Sequence, residues 1–191
     1  MVRIVKDIMQ FKILTLKAPK GAKYKDIKLK FEVIEDINLF VQKLLKKQEI
    51  IYATKVAPVE YIVCQQNNKL IITHCTTEYK NRLYNITETK NHANIGDFII
   101  IKNAGLSRKY SMNINTALKR YSFNPKEKQG VALPIARTER FVKVNKNIVF
   151  VSPWGETMCL TKGGYLNITG HRYYAIQGYA FDVTYKTLQQ P

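Results

Sequence analysis

Ile95-Gly96-Asp97-Phe98-Ile99-Ile100-Ile101, running on through Tyr110 to Tyr121, is the stretch from which the fold is read. The chain passes through the same pattern again at Gly163-Gly164-Tyr165-Leu166-Asn167-Ile168, running on through Tyr174 to Tyr185. In each pass a glycine turn opens a strand, a short polar excursion follows, and an aromatic residue ends a helical turn. Phe98 to Ile101 is continuously apolar, which predicts a strand covered on both faces. Laid over each other, Leu70-Ile71-Ile72-Thr73 matches Ile148-Val149-Phe150-Val151, and Phe98-Ile99 matches Tyr165-Leu166. Tyr110-Ser111-Met112-Asn113 matches Tyr174-Ala175-Ile176-Gln177, and Tyr121 matches Tyr185, with an insertion around Tyr79 to His92 in the first pass. The acid of the first pass, Asp97, is Gly164 in the second. A frame that repeats while losing its charged group reads as architecture.

Upstream of the first pass, Gln10 to Lys17 predicts a strand and Ala18-Pro19-Lys20-Gly21 a turn. Ile27 to Val33 alternates apolar and charged side chains, the pattern of a half-buried strand. Asp36 is placed to cap a helix whose apolar stripe is Ile37, Phe40, Val41, Leu44 and Leu45. Two hairpins are expected, Val59–Cys64 with Leu70–Thr73 about Asn67-Asn68, and Arg140–Val144 with Ile148–Val151 about Asn145-Lys146-Asn147. Thr76 to Asn94 reads as polar and irregular, with a short strand at Arg82 to Thr87; Asn115 is expected to cap a short helix. The expectation is thus an α+β, β-rich fold: an N-terminal β-β-α unit over residues 1–54, then two small duplicated antiparallel β units over 55–125 and 126–191, each closed by a short helix.

Charge supplies the functional expectation. The 191 residues carry 31 Lys and Arg against 14 Asp and Glu, a formal net charge of +17. Self-repulsion on that scale opposes a compact state unless a polyanion lies against it, and nucleic acid is the commonest polyanion. The positive residues singled out lie on several loops: Lys20, Lys23 and Lys25 in the first turn, Arg108, Lys109, Lys119 and Arg120 around the end of the first pass, and Arg137 and Arg140 opening the second. Basic residues spread over loops suit contacts with a phosphate backbone more than base reading. Tyr79, Tyr84, Tyr110, Tyr173 and Tyr174 stand near them as candidate stacking platforms.

Other chemistries find less support. Cys64, Cys75 and Cys159 form no Cys-x-x-Cys pair, so neither a zinc site nor a secreted disulfide framework is expected, and a reducing compartment is. His74, His92 and His171 lack metal-ligand spacing, and His74 and Cys75 fall on opposite faces of a strand. No metal or cofactor is expected. The acid–base candidates Glu60, Asp97, Glu139, Glu156 and Asp182 are too few among so many cations to be spared from ion pairing, so the chain is not expected to be an enzyme. No apolar run reaches the ~20 residues that span a bilayer. Met1 to Lys20 is basic with Asp7 its sole acid, which resembles a transit peptide but suits a strand as well. Abundant Lys, Ile, Asn and Tyr fit an AT-rich coding genome, and a mitochondrion or other organelle is expected over the cytoplasm.

Ser152-Pro153-Trp154-Gly155-Glu156, Lys162-Gly163-Gly164-Tyr165-Leu166, Tyr174-Ala175-Ile176 and Phe181 to Tyr185 together resemble the small domains named for a Pro-Gly-Asp-Tyr-Gly motif. Ala93-Asn94-Ile95-Gly96-Asp97-Phe98-Ile99-Ile100 resembles the same motif in the first pass. Ile95 and Lys162 stand where the motif has proline, and Gly164 where it has the acid. The resemblance covers residues 55–191 and implies a compact β-rich unit with no catalytic residue. The functional expectation is a non-enzymatic RNA-associated structural protein, a subunit of a ribonucleoprotein such as an organellar ribosome, with RNA phosphates and neighbouring proteins as partners. The alternatives are a viral or phage-type domain holding a nucleotide between the two passes, with its charge gathered in one concavity, and a protein-only scaffold subunit of a large complex.

Overall fold

A computed structural model describes residues 12–104, 109–171 and 173–189, apart from the side chains of Glu88, Thr89 and His171. The first strands are β1 (Ile13–Leu16), β2 (Ile27–Lys30), β3 (Glu32–Ile34), β4 (Ile51–Lys55) and β5 (Val59–Val63). A long pair, β6 (Lys69–Tyr79) and β7 (Arg82–Ala93), precedes β8 (Phe98–Asn103), β9 (Tyr110–Met112) and β10 (Tyr121–Ser122). Then come β11 (Gln129–Pro134), β12 (Glu139–Lys143), β13 (Ile148–Val151), β14 (Thr157–Leu160), β15 (Tyr165–Asn167), β16 (Tyr174–Ile176) and β17 (Tyr185–Thr187). The helices are α1 (Ile37–Leu45), α2 (Ile114–Leu118) and α3 (Gly178–Thr184).

Two five-stranded sheets organise the molecule. Sheet one runs β10-β11-β5-β8-β9, and sheet two, read in the matching direction, runs β17-β4-β12-β15-β16. The sheets are counterparts strand for strand. Phe98, Ile99 and Ile100 face Met112, Ser111 and Tyr110, just as Tyr165, Leu166 and Asn167 face Ile176, Ala175 and Tyr174. The glycine turns correspond as well. Gly96 and Gly163 both have φ 88, and the N–H of the next residue closes each turn onto Asn94 and Thr161 respectively, 3.0 Å in both cases. That left-handed third position is one glycine occupies without steric penalty. Gly96 and Asp97 then exchange backbone bonds with Cys64 as Gly163 and Gly164 do with Val144.

The expected chain of an N-terminal β-β-α unit followed by helix-closed units is overturned. Strand makes up 48% of the structure against 14% helix, in several small sheets set in a propeller-like arrangement. The N-terminal elements do not form a unit. β2 stops at Phe31, which is buried and donates its N–H to the Lys12 carbonyl, and β3 leaves to run parallel to β13. β4 enters sheet two between β12 and β17. Likewise β11, which opens the second unit, completes sheet one between β10 and β5. The strand at the entry to each unit is therefore exchanged into the other unit's sheet. A strand, not a helix, ends each pass, since β10 and β17 follow α2 and α3 and return to a sheet.

Both expected hairpins are also corrected. β5 pairs with β8 and β11, and β12 with β4 and β15, so both hydrogen-bonding edges of each are taken by other strands. β13 pairs with β14 and β3. The stretch read as irregular is the two-stranded β6–β7 ribbon, closed at Lys80-Asn81 with φ 50 and 58, the left-handed pair of a two-residue hairpin turn. Its inward row is Ile71, Thr73, Cys75 and Thr77, half polar, which hid the alternation.

The cores follow the same correspondence. Val59, Tyr61, Phe98, Ala117, Tyr121 and Ala132 pack under sheet one against α2. Ala53, Phe141 and Phe181, with Tyr165 and Tyr185 beside them, pack under sheet two against α3. Ala132 faces Val59 at the start of β5 as Ala53 faces Glu139 at the start of β12, and both alanines are fully buried in their exchanged strands. Tyr61 stacks on Phe98 at 4.5 Å, and Tyr165 on Phe181 at 3.9 Å. A larger cluster centred on Val142, Ile148, Phe150, Leu160 and Leu166 receives the buried face of α1, namely Ile37, Phe40 and Val41. Asp36 starts α1 as expected, its carboxylate accepting the Leu39 N–H at 2.9 Å. Asp36→Ala is expected to lower stability by about 1 kcal/mol in urea denaturation, with the slope unchanged. Asn113, not Asn115, caps α2, and its side chain accepts the Asn115 N–H.

Candidate functional site

Tyr110, Tyr121, Tyr174 and Tyr185, the tyrosines matched between the two passes, converge on one cavity of about 620 Å³. It is lined by residues of β9, β10, β16 and β17, by Thr116 of α2 and by Pro153 and Trp154. Strand exchange brings the two sets together. Lys55 on β4 sits opposite Tyr185 in sheet two, yet its Nζ donates to Tyr121 Oη at 2.6 Å and Tyr110 Oη at 3.1 Å, both from the first pass. The Tyr110 and Tyr121 hydroxyls lie 3.2 Å apart.

On the other wall, Glu139 is buried and fully engaged. One oxygen pairs with Arg137 at 2.5 Å and the other accepts the Tyr174 hydroxyl at 3.2 Å, while Asn167 donates to that hydroxyl at 2.9 Å. Glu139 is thus spent as a counter-ion, which leaves it poorly placed for acid–base work. Burial, then the charge of Glu139, pushes the Tyr174 phenol well up, and burial followed by Tyr174 and Glu139 does the same to Tyr185. Burial and the neighbouring Tyr110 raise Tyr121. These phenols keep their protons at neutral pH and act as neutral donors. Arg120 reaches in from the end of α2, its guanidinium 5.7 Å from the Tyr174 ring. Burial opposes its charge, but Tyr174 and Glu139 outweigh that and hold it protonated.

The remaining acid–base candidates serve the frame or the surface. Glu60 pairs with Lys102 at 3.0 Å, Asp97 accepts the Asn94 N–H at 2.8 Å, and Asp182 is exposed on α3. Glu156 does not bond its own turn through its side chain; it accepts from Asn91 at 3.2 Å at the cavity wall. The three cysteines are buried.

The basic residues separate into two places. Arg120 and Arg137 line the cavity, and Lys109, Lys119 and Arg140 are exposed on the elements around it. Arg108 lies outside the described residues. Lys20, Lys23 and Lys25 are exposed on the β1–β2 connection, and the fold sets that connection against the tip of the β6–β7 ribbon. Lys17 and Asn85 exchange backbone bonds at 2.8 Å, and the Tyr24 hydroxyl donates to the Leu83 carbonyl at 2.6 Å. This adds Lys80 and Arg82 to the lysine loop, with Tyr79 and Tyr24 beside them at 5.6 and 5.1 Å. Asp26, the acid of the loop, is tied to Lys17 at 2.7 Å. The sequence reading missed Lys80, Arg82 and Lys55. The left-handed Asn81 beside Lys80 was the available signal for the ribbon tip; for Lys55 there was none, since its role depends on strand exchange.

Among the described residues no group of three or more His, Cys, Asp or Glu side chains is arranged to hold a metal ion, and no helix is long and apolar enough to cross a membrane. No family model, curated protein or solved structure matches the chain, so the resemblance to the Pro-Gly-Asp-Tyr-Gly domains rests on the residues quoted for it.

Proposed function

We propose that this is a non-enzymatic RNA-associated protein, a structural subunit of a ribonucleoprotein such as an organellar ribosome, that binds the phosphate backbone through the lysine loop and the ribbon tip. The observation that carries the reading is the juxtaposition of Lys20, Lys23 and Lys25 with Lys80 and Arg82, all exposed, around Tyr24 and Tyr79. Exposed cations interleaved with aromatic rings follow a backbone electrostatically and offer stacking faces to unpaired bases. The acid within the loop is neutralised by Lys17, so the patch keeps its sign, and the +17 balance of the whole chain favours a polyanionic partner.

RNA binding by the full chain is expected to weaken steeply with salt. Reversing Lys23, Lys80 and Arg82 to Glu is expected to lower affinity by more than about tenfold and to flatten the salt slope by roughly 0.7 per lost phosphate contact. Lys43, Lys46 and Lys47, exposed at the end of α1, supply the control with the same change of charge. Affinity indifferent to salt, or equal losses from both triple variants measured by filter binding, would remove this patch as the contact surface.

A further inference from the structure

Arg120 lines the cavity and, unlike Arg137, is in no described ion pair with a carboxylate. Arg137 and the Tyr174 hydroxyl each take one oxygen of Glu139, and Glu139 acts on Arg120 through its charge. A half-buried guanidinium whose nearest acid is bonded to other groups can still take a bidentate anion from outside the chain. The phenols around it are neutral and add hydrogen-bond donors. Elsewhere on the same wall the need is reversed. The side-chain oxygens of Asn103, which is 2% exposed, and of Asn91 are buried without a hydrogen-bond partner, and both residues line the cavity. Orphaned buried acceptors are uncommon in folded proteins and are met by a donor from outside the chain, a water or a ligand. The turn that lines the cavity carries Trp154, left 47% exposed. One cavity thus brings together a cation without a bonded carboxylate, acceptors without a partner and a half-exposed tryptophan. Its volume, about 620 Å³, is in the range of sites for small organic ligands and far exceeds what a bare inorganic anion needs.

We propose that this cavity binds a nucleotide, with the phosphate on Arg120, the sugar or base donors on Asn91 and Asn103, and the base against Trp154. The nucleotide comes either free from solution or unstacked from an RNA strand, and both sources present the same groups. The proposal stands apart from the RNA-binding patch on the lysine loop, since nucleotide titration involves neither the loop nor RNA.

Trp154 is the only tryptophan of the chain, so tryptophan emission reports directly on the cavity. Titrating the full chain with AMP, GMP, CMP and UMP in turn is expected to give a saturable change with at least one of them. The matching nucleoside and inorganic phosphate, each lacking half of the ligand, are expected to bind about tenfold more weakly or worse. Arg120→Gln should cost the nucleotide about tenfold in affinity while leaving the nucleoside unchanged, and Arg120→Lys should restore part of the loss. Trp154→Ala, at an exposed position that does not endanger the fold, should lower affinity to a similar degree by calorimetry. No saturable change with any nucleotide overturns the proposal. So does affinity matched by phosphate alone, or unchanged affinity in folded Arg120→Gln or in Trp154→Ala. A short single-stranded RNA that displaces the bound nucleotide assigns the site to an unstacked RNA residue, and RNA bound together with it assigns a free nucleotide.

Discussion

Cutting the chain between Lys126 and Glu127 is expected to yield two fragments that do not fold alone and reassemble when mixed. Without residues 127–191 the first fragment loses β11, which lies between β10 and β5, so β10 has no neighbour left in its sheet. The same cut removes both partners of β4 and the partner of β3. The second fragment loses β4 and thereby detaches β17 from sheet two. Each sheet then exposes unpaired backbone and an apolar face, and a few short strands without a covered face are marginal at best. The buried alanines of the exchanged strands, Ala53 and Ala132, make the dependence mutual, because each fills the core under the other pass's sheet. Circular dichroism should show no cooperative melt for either fragment and a single melt for the mixture. A cooperative transition in either fragment alone would mean that the passes are self-sufficient.

Restoring the missing acid at the second glycine turn, Gly164→Asp, is expected to be among the most damaging single changes in the chain. A Cβ at Gly164 would lie 2.3 Å from the Leu160 Cδ1 and 3.0 Å from the Ile176 carbonyl oxygen. Leu160 is fully buried and has nowhere to withdraw, and the carbonyl belongs to β16, fixed in the sheet. To the overpacking the aspartate adds a buried charge without a partner, and together these should cost about 4 kcal/mol or more in urea denaturation. Gly164→Ala carries only the steric part, about 1–3 kcal/mol. At the matching position the sign of the space is reversed. Asp97 lies in a turn where its carboxylate accepts the Asn94 N–H, so Asp97→Gly loses one local hydrogen bond and some backbone rigidity, about 1–2 kcal/mol. Comparable losses at the two positions would show that the turns are not packed differently.

Much of the local structure was legible in the residues. The apolar run Phe98–Ile101, the glycine turns at Gly96 and Gly163, the Asp36 cap with the α1 stripe, and the return strands at Tyr110 and Tyr174 all rest on interactions within a few residues or one turn. The matching of Tyr110 with Tyr174 and Tyr121 with Tyr185 was visible too, and the tyrosines matched on paper are those that meet at the cavity. The β6–β7 ribbon was not visible, because Thr73 and Thr77 bury their side chains through contacts that sequence periodicity does not report, Thr77 through a 2.6 Å bond to Thr161. Of the cavity, Arg120 and Arg137 were named for their charge alone; Lys55 and the asparagines had no signal.

The residues alone carry the glycine turns, the apolar run Phe98–Ile101 and the α1 stripe, the recurrence of the pattern and the strongly positive charge. Those are properties of short windows and of composition. Tertiary structure alone decided that β4 and β11 change places, so that two passes make one interlocked body in place of successive units. A short strand's hydrogen bonds are the same whichever neighbour accepts them, and the choice falls to whichever partner buries its apolar face, here Ala53 on Phe141 and Ala132 beside Tyr61. That choice also sets Lys55 against the first pass's tyrosines and Arg120 beside Tyr174 of the second, and so it makes the cavity.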